Sequence, residues 1–147
     1  MRRYLLVLPF LIACAKEEAP PADSAAAAMP PALTEADVAG TWTGTATNEA
    51  PDTGTVNFTI TCGAGTCRNV VSSAPNDTVV LTYVLAADSS TGTSSPYKDP
   101  MAGGATVVDH YVARVTGNQV SGHGWLTLAD KPDSVLVRYR FTGTKSP

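Results

Sequence analysis

"ATVVDHYVARVTGNQVSGHGWLTLA", residues 105–129, consists of two alternating runs of β-branched and aromatic residues joined by Gly117-Asn118. A two-residue Gly-Asn link between such runs is a hairpin signal, and it pairs Thr116 with Gln119. Carried outward, this register sets Val115 opposite Val120, Ala113 opposite Gly122 and Tyr111 opposite Gly124. A second loop at "DKPD", residues 130–133, pairs Ala129 with Ser134 and so puts Leu126 against Val137, Gly124 against Tyr139 and Gly122 against Phe141. Both glycines then lie beneath aromatic neighbours, a known way of covering Gly in a sheet.

Side chains alternate across a strand, so this register sorts the three strands into two faces. One face is apolar: Tyr111, Val115, Val120, Leu126, Leu128, Val135, Val137, Tyr139 and Phe141. Asp109 falls on it too, where a carboxylate is costly unless paired; at the end of a barrel it could instead be solvated. The other face collects His110, Arg114, His123, Trp125, Arg138 and Arg140, with Trp125 directly across from both His110 and Arg138. A guanidinium over an exposed indole is worth ~0.5–1 kcal/mol. Two readings of this face stand: a solvated surface with one shielded Trp, or a surface on which Trp125, Arg138 and Arg140 meet an anionic group or a protein partner.

The rest of the chain after residue 33 follows the same pattern. No 3.6-residue apolar period of useful length occurs, and alternating Val, Thr, Tyr and Phe runs are separated by Gly, Pro, Asn and Asp clusters. Strands are predicted near 39–48, 54–62, 67–73, 78–87, 105–116, 119–129 and 134–144. "TEAD", residues 34–37, has the spacing of a capping box and predicts one helical turn before the first strand. The stretch "DSSTGTSSPYKDPMAGG", residues 88–104, is long and polar for a turn; it reads as a flexible rim loop with room for an eighth short strand, and Tyr97 and Met101 offer apolar contacts within it. Cys62 and Cys67 close "CGAGTC", which suits directly opposed cysteines on a tight hairpin and predicts a disulfide in an exported chain.

No nucleophile elbow, phosphate loop, calcium loop or metal triad is present, so no catalysis, cofactor or metal is expected. "DHY", residues 109–111, is no acid–histidine dyad, because adjacent strand residues point to opposite faces. His110 and His123 supply at best two metal ligands.

The N-terminus supplies an address. Arg2 and Arg3 precede an apolar stretch, Leu5 to Ala13, far short of the ~20 residues that span a bilayer as a helix, which is the layout of an export signal. It ends in "LIAC", Leu11-Ile12-Ala13-Cys14, which resembles the lipobox of bacterial lipoproteins. That resemblance implies cleavage before Cys14, a diacylglycerol on its thiol and an acylated new amino terminus. Ala15 stands where an Asp would favour the inner membrane, so an outer-membrane site facing the periplasm or the exterior is expected. Losing Arg2 and Arg3 with the signal peptide takes the formal charge from −3 to −5, which argues against nucleic acid or a general attraction to anionic lipid. Residues 15–33, "AKEEAPPADSAAAAMPPAL", have no apolar period and read as a disordered tether. The expected organisation is signal peptide 1–13, lipidated Cys14 and linker 14–33, and one all-β domain 34–147.

"VAGTWTG", Val38 to Gly44, resembles the Gly-x-Trp signature at the first strand of lipocalins, with Gly40 and Trp42 in the matching positions. The resemblance implies a small antiparallel up-and-down β-barrel of seven to eight strands, a Trp sealing one end and a basic residue of a late strand packed on it. Arg138 and Arg140 are the late-strand candidates, although the register gives both to the outer face. It also implies a non-catalytic barrel that holds a small apolar ligand. The alternative is a structural or interaction lipoprotein with a filled barrel that meets another envelope protein.

Overall fold

The computed structural model describes residues 32–50, 54–99 and 102–147. The expected signal peptide, Cys14, the expected linker to residue 31 and Met101 lie outside the described residues.

The capping-box spacing delivers its helical turn, α1 (Glu35–Val38). The Asp37 carboxylate accepts from the Thr34 hydroxyl at 2.6 Å and the Thr34 backbone N–H at 2.8 Å, and these bonds hold its pKa below the usual carboxylate range. Nine strands follow: β1 (Gly40–Asn48), β2 (Thr55–Gly63), β3 (Thr66–Val71), β4 (Ala74–Ala86), β5 (Ser89–Ser94), β6 (Tyr97–Asp99), β7 (Ala105–Thr116), β8 (Gln119–Leu128) and β9 (Lys131–Lys145). All pair antiparallel; β9 returns to β1 and β5 pairs with β7, so eight strands close into a barrel and β6 is additional. Closure gives each of those eight a ladder partner on both edges, although among the described residues positions 74–79 of β4 have no ladder partner on the β5 side.

The predicted register of β7 with β8 holds from Tyr111–Gly124 to Thr116–Gln119, and β8 meets β9 at Leu126–Val137, Gly124–Tyr139 and Gly122–Phe141 as expected. Both glycines are covered: a Cβ at Gly122 would overlap the Phe141 ring, and one at Gly124 the Tyr139 ring. The predicted pairing of Ala129 with Ser134 does not form. Residues 129–130 alone make the turn, β9 starts at Lys131, and register shifts between Leu126 and Leu128 absorb the extra residues of β9. Beyond the shift Val135 no longer faces inward and is 40% exposed.

The larger correction concerns residues 88–104. The eighth strand for which this stretch had room is present as β5, which closes the barrel, but the remainder is not a rim loop: β6 continues along the same edge of β7, pairing Tyr97–Val107 where β5 pairs Thr93–His110. The two are one stave interrupted at Ser95-Pro96, where proline has no N–H to give to a ladder. At the interruption the backbone N–H of Asp109 donates to Ser94 Oγ at 2.9 Å in place of a ladder partner.

The barrel has two unlike ends. α1 lies across the end formed by the β2–β3, β4–β5 and β7–β8 turns, and Val38 packs there with Cys67, Leu81 and Tyr83. The Cys62–Cys67 disulfide, its Cα atoms 4.0 Å apart, belongs to this floor, as the hairpin reading requires. Trp42, 2% exposed, donates from Nε1 to the Val38 carbonyl at 2.8 Å. A basic residue of the last strand does pack on this indole, but it is Lys145 rather than Arg138 or Arg140: its Nζ lies 5.3 Å from the ring centroid and donates to the carbonyls of Ala36 and Asp37 at 3.2 Å each. Tyr83 donates to Glu35 at 2.5 Å, and Leu33, the last residue assigned to the linker, donates its N–H to Ala87. The mouth opposite carries the chain between β1 and β2, the β3–β4 and β8–β9 turns, and β6.

Candidate functional site

Alternation sends Thr41, Thr43, Thr45 and Thr47 of β1 outward and Trp42, Gly44 and Ala46 inward, and the same rule on every strand builds a mainly apolar interior. That interior is not filled. A cavity of about 300 Å³ runs from Val38 and Trp42 at the floor to Asn48, Ser73 and Lys98 at the mouth. It is hollow because glycine recurs beside aromatic residues: the Tyr111 ring lies against Gly92, Phe141 against Gly122 and Tyr139 against Gly124, so the rings lie along the wall instead of meeting at the axis. Phe141 links them, with its centroid 6.2 Å from Phe58, 6.4 Å from Tyr111 and 6.2 Å from Tyr139.

Asp109 stands in this apolar wall, 7% exposed, beside the interruption between β5 and β6. It is buried rather than solvated, and the Tyr139 hydroxyl donates to Oδ1 at 2.7 Å. Burial pushes its pKa up to about 7, with Asp99 adding to the rise, while the Tyr139 hydroxyl and the His110 backbone N–H pull against it. Tyr97, the first residue of β6, lines the same cavity and donates to Asp99 Oδ2 at 3.3 Å. Burial, then the Asp109 charge, raises the pKa of both Tyr97 and Tyr139; burial raises that of Tyr111. All three phenols therefore remain protonated donors at neutral pH. Asn69 Oδ1, also in the cavity wall, is buried and accepts no hydrogen bond from the described residues.

Of the ligand- or partner-surface residues expected from the sequence, Tyr97 lines this cavity, together with Trp42, Cys62 and Asp109, which the sequence singled out on other grounds. Met101 lies outside the described residues, and Trp125, Arg138 and Arg140 are on the outer face, as the register requires. Trp125 pairs with both His110 and Arg138 there, as the register places them. Among the described residues no guanidinium covers the indole; the His110 imidazole stacks on Trp125 at 5.3 Å and 13°, and the His123 imidazole flanks it at 6.3 Å and 23°. Arg140 turns aside to Glu49 (Nε–Oε1 2.8 Å), an exposed pair of little energetic weight. His110 is also bracketed by Thr127 Oγ1 at 3.2 Å and Thr93 Oγ1 at 3.4 Å.

The Tyr139–Asp109 contact was within reach of the sequence. Asp109 and Tyr139 share the inward face, and a glycine between Tyr111 and Tyr139 frees the space in which the phenol crosses β8. No group of three acidic, His or Cys side chains suited to a metal occurs among the described residues, and no described helix is long and apolar enough to cross a membrane. No protein-family model, curated protein or solved structure matches the chain.

Proposed function

We propose that this chain is a lipid-anchored lipoprotein of the cell envelope whose β-barrel carries a small, mainly apolar ligand and performs no catalysis. The observation that carries the binding reading is the cavity of about 300 Å³, at the lower end of the ~300–1,000 Å³ range of small-molecule sites. A filled interior would have favoured the interaction role instead. The lipocalin likeness draws support from the short helix before Gly40, the sealing Trp42 and the cation of Lys145 on its ring. The anchor rests on the lipobox-like "LIAC" and Cys14, with the outer membrane favoured by Ala15. A barrel whose outward face carries Thr, His and Arg suits an aqueous compartment, so attachment is assigned to the acyl chains of Cys14.

The test is native mass spectrometry of protein purified from its own membranes, set against the denatured mass. The expected result is a denatured mass that starts at a diacylglycerol-modified Cys14 and a native mass larger by a small molecule. A protein that carries no adduct and fails to take up an apolar fluorescent probe overturns the carrier role. A Cys14→Ala protein that stays with the membrane fraction overturns the anchor.

A further inference from the structure

Asp109 is an ionisable group in the wall of a mainly apolar cavity, and no basic side chain of the described residues forms an ion pair with it. Its protein partners are neutral donors, the Tyr139 hydroxyl and the His110 N–H, which occupy two of the roughly four acceptor positions of a carboxylate. A buried charge that meets only neutral donors is the costly arrangement; a cation brought to it repairs the deficit. The surroundings favour that cation. Charged side chains lining the cavity among the described residues are Asp77, Asp99, Asp109 and Lys98, an excess of negative charge. Tyr111 and Tyr139, each backed by a glycine, offer aromatic surface beside the carboxylate.

Resting on the carrier reading above, we infer that the barrel selects a small aryl- or alkyl-amine, its ammonium held by Asp109 among Tyr97, Tyr111 and Tyr139 and its apolar body directed toward Trp42. A divalent cation fits less well, because no third acidic, His or Cys side chain of the described residues joins Asp109 and Asp99. An anionic amphiphile, such as a fatty acid, would bring a second negative charge to the same wall. The carboxylate must be ionised to hold the ammonium, so the amine displaces the proton that burial favours. The titratable groups that act on Asp109 are Tyr139 of β9, Tyr111 of its own strand, and Tyr97 and Asp99 of β6, with Asp77 of β4 and Lys98 of β6 also in the cavity wall; Ser94 of β5 and Leu126 of β8 add none. Over pH 5–8 the tyrosines stay protonated, which leaves the Asp109 proton as the one that competes.

The experiment measures fluorescence binding of 2-(1-naphthyl)ethylamine, the neutral 1-ethylnaphthalene and 1-naphthylacetate to the full chain at pH 8. The amine is expected to bind at least about tenfold tighter than the neutral probe, a difference of ~1.4 kcal/mol, and the anion weakest of the three. Asp109→Asn should remove the amine's advantage and leave 1-ethylnaphthalene binding within about twofold, which also reports that the variant is folded. Independently of any variant, the ratio of amine to neutral affinity in the wild-type protein should fall at least about tenfold between pH 8 and pH 5. Equal binding of the amine and the neutral probe, or a ratio that ignores pH, overturns the amine assignment and leaves the carrier reading standing. Binding of none of the three overturns both.

Discussion

Gly124 shows how much of this interior depends on a missing methyl group. The Tyr139 ring occupies the place a Cβ would take, and the His110 carbonyl oxygen lies 2.7 Å from that place, so neither side can yield freely. Gly124→Ala is expected to cost about 1–3 kcal/mol in urea unfolding, as overpacking of a fitted interior does. The same substitution pushes the Tyr139 hydroxyl off Asp109, so tyrosine absorbance should report a changed environment in the folded variant. Gly122 and Gly92 repeat the device under Phe141 and Tyr111. Two of these three pairings were legible in the sequence, because a Gly-Asn turn fixed the register of β7 and β8 and the aromatic residues of β9 then fell opposite the glycines. The third was hidden in a stretch without apolar side chains. Lys145 escaped for a different reason: its value lies in meeting α1, more than 100 residues earlier in the chain, and strand alternation carries no information about that partner.

Among the elements, β5 was the least visible. Its inward positions are Ser90, Gly92 and Ser94, small residues that make room for Tyr111 and accept the Asp109 N–H, so the hydrophobic period that marks other strands is absent. The start of β9 was misplaced for a related reason: Asp130, Lys131, Pro132 and Asp133 have loop composition, yet all but Asp130 lie in the strand, and the bulges that absorb them leave no trace in residue type. Strong periodic segments were read correctly to within a few residues; segments shaped by what they accommodate were not. The β2–β3 hairpin stands at the legible extreme. Its turn places Ala64 and Gly65 at φ 50° and 74°, the left-handed pair of a tight hairpin, and the bridge closes immediately beside it. A loop that short restricts the unfolded chain little, so Cys62→Ala/Cys67→Ala is expected to lower stability by about 2 kcal/mol and to leave the barrel folded. Denaturant titration with far-ultraviolet circular dichroism checks both statements.

For the molecule as a whole, the buried carboxyl sets the response to pH. Asp109 has a folded pKa of about 7 against an ordinary value of 3.8, so between these limits the folded chain keeps a proton that the unfolded chain releases. Its contribution to stability is fullest at the acid end of that window and is lost as pH rises toward 7, with a slope of at most ~1.4 kcal/mol per pH unit. Asp37, whose pKa is lowered, acts in the opposite sense, and only as pH falls below the ordinary carboxylate value. Urea midpoints measured from pH 4.5 to 8 should therefore decline toward neutrality in the wild-type protein relative to Asp109→Asn, and the two profiles should converge at the acid end. The two unlike ends of the barrel bear on orientation. The chain arrives at the floor: Leu33 is bonded to Ala87, α1 is clamped by Tyr83 and Lys145, and the mouth lies at the other end of the strands. A pull on the amino-terminal side is thus taken up by the plugged end. In the proposed lipoprotein the tether would therefore join the barrel at its plugged end, and the end through which a ligand would enter is the one remote from that junction.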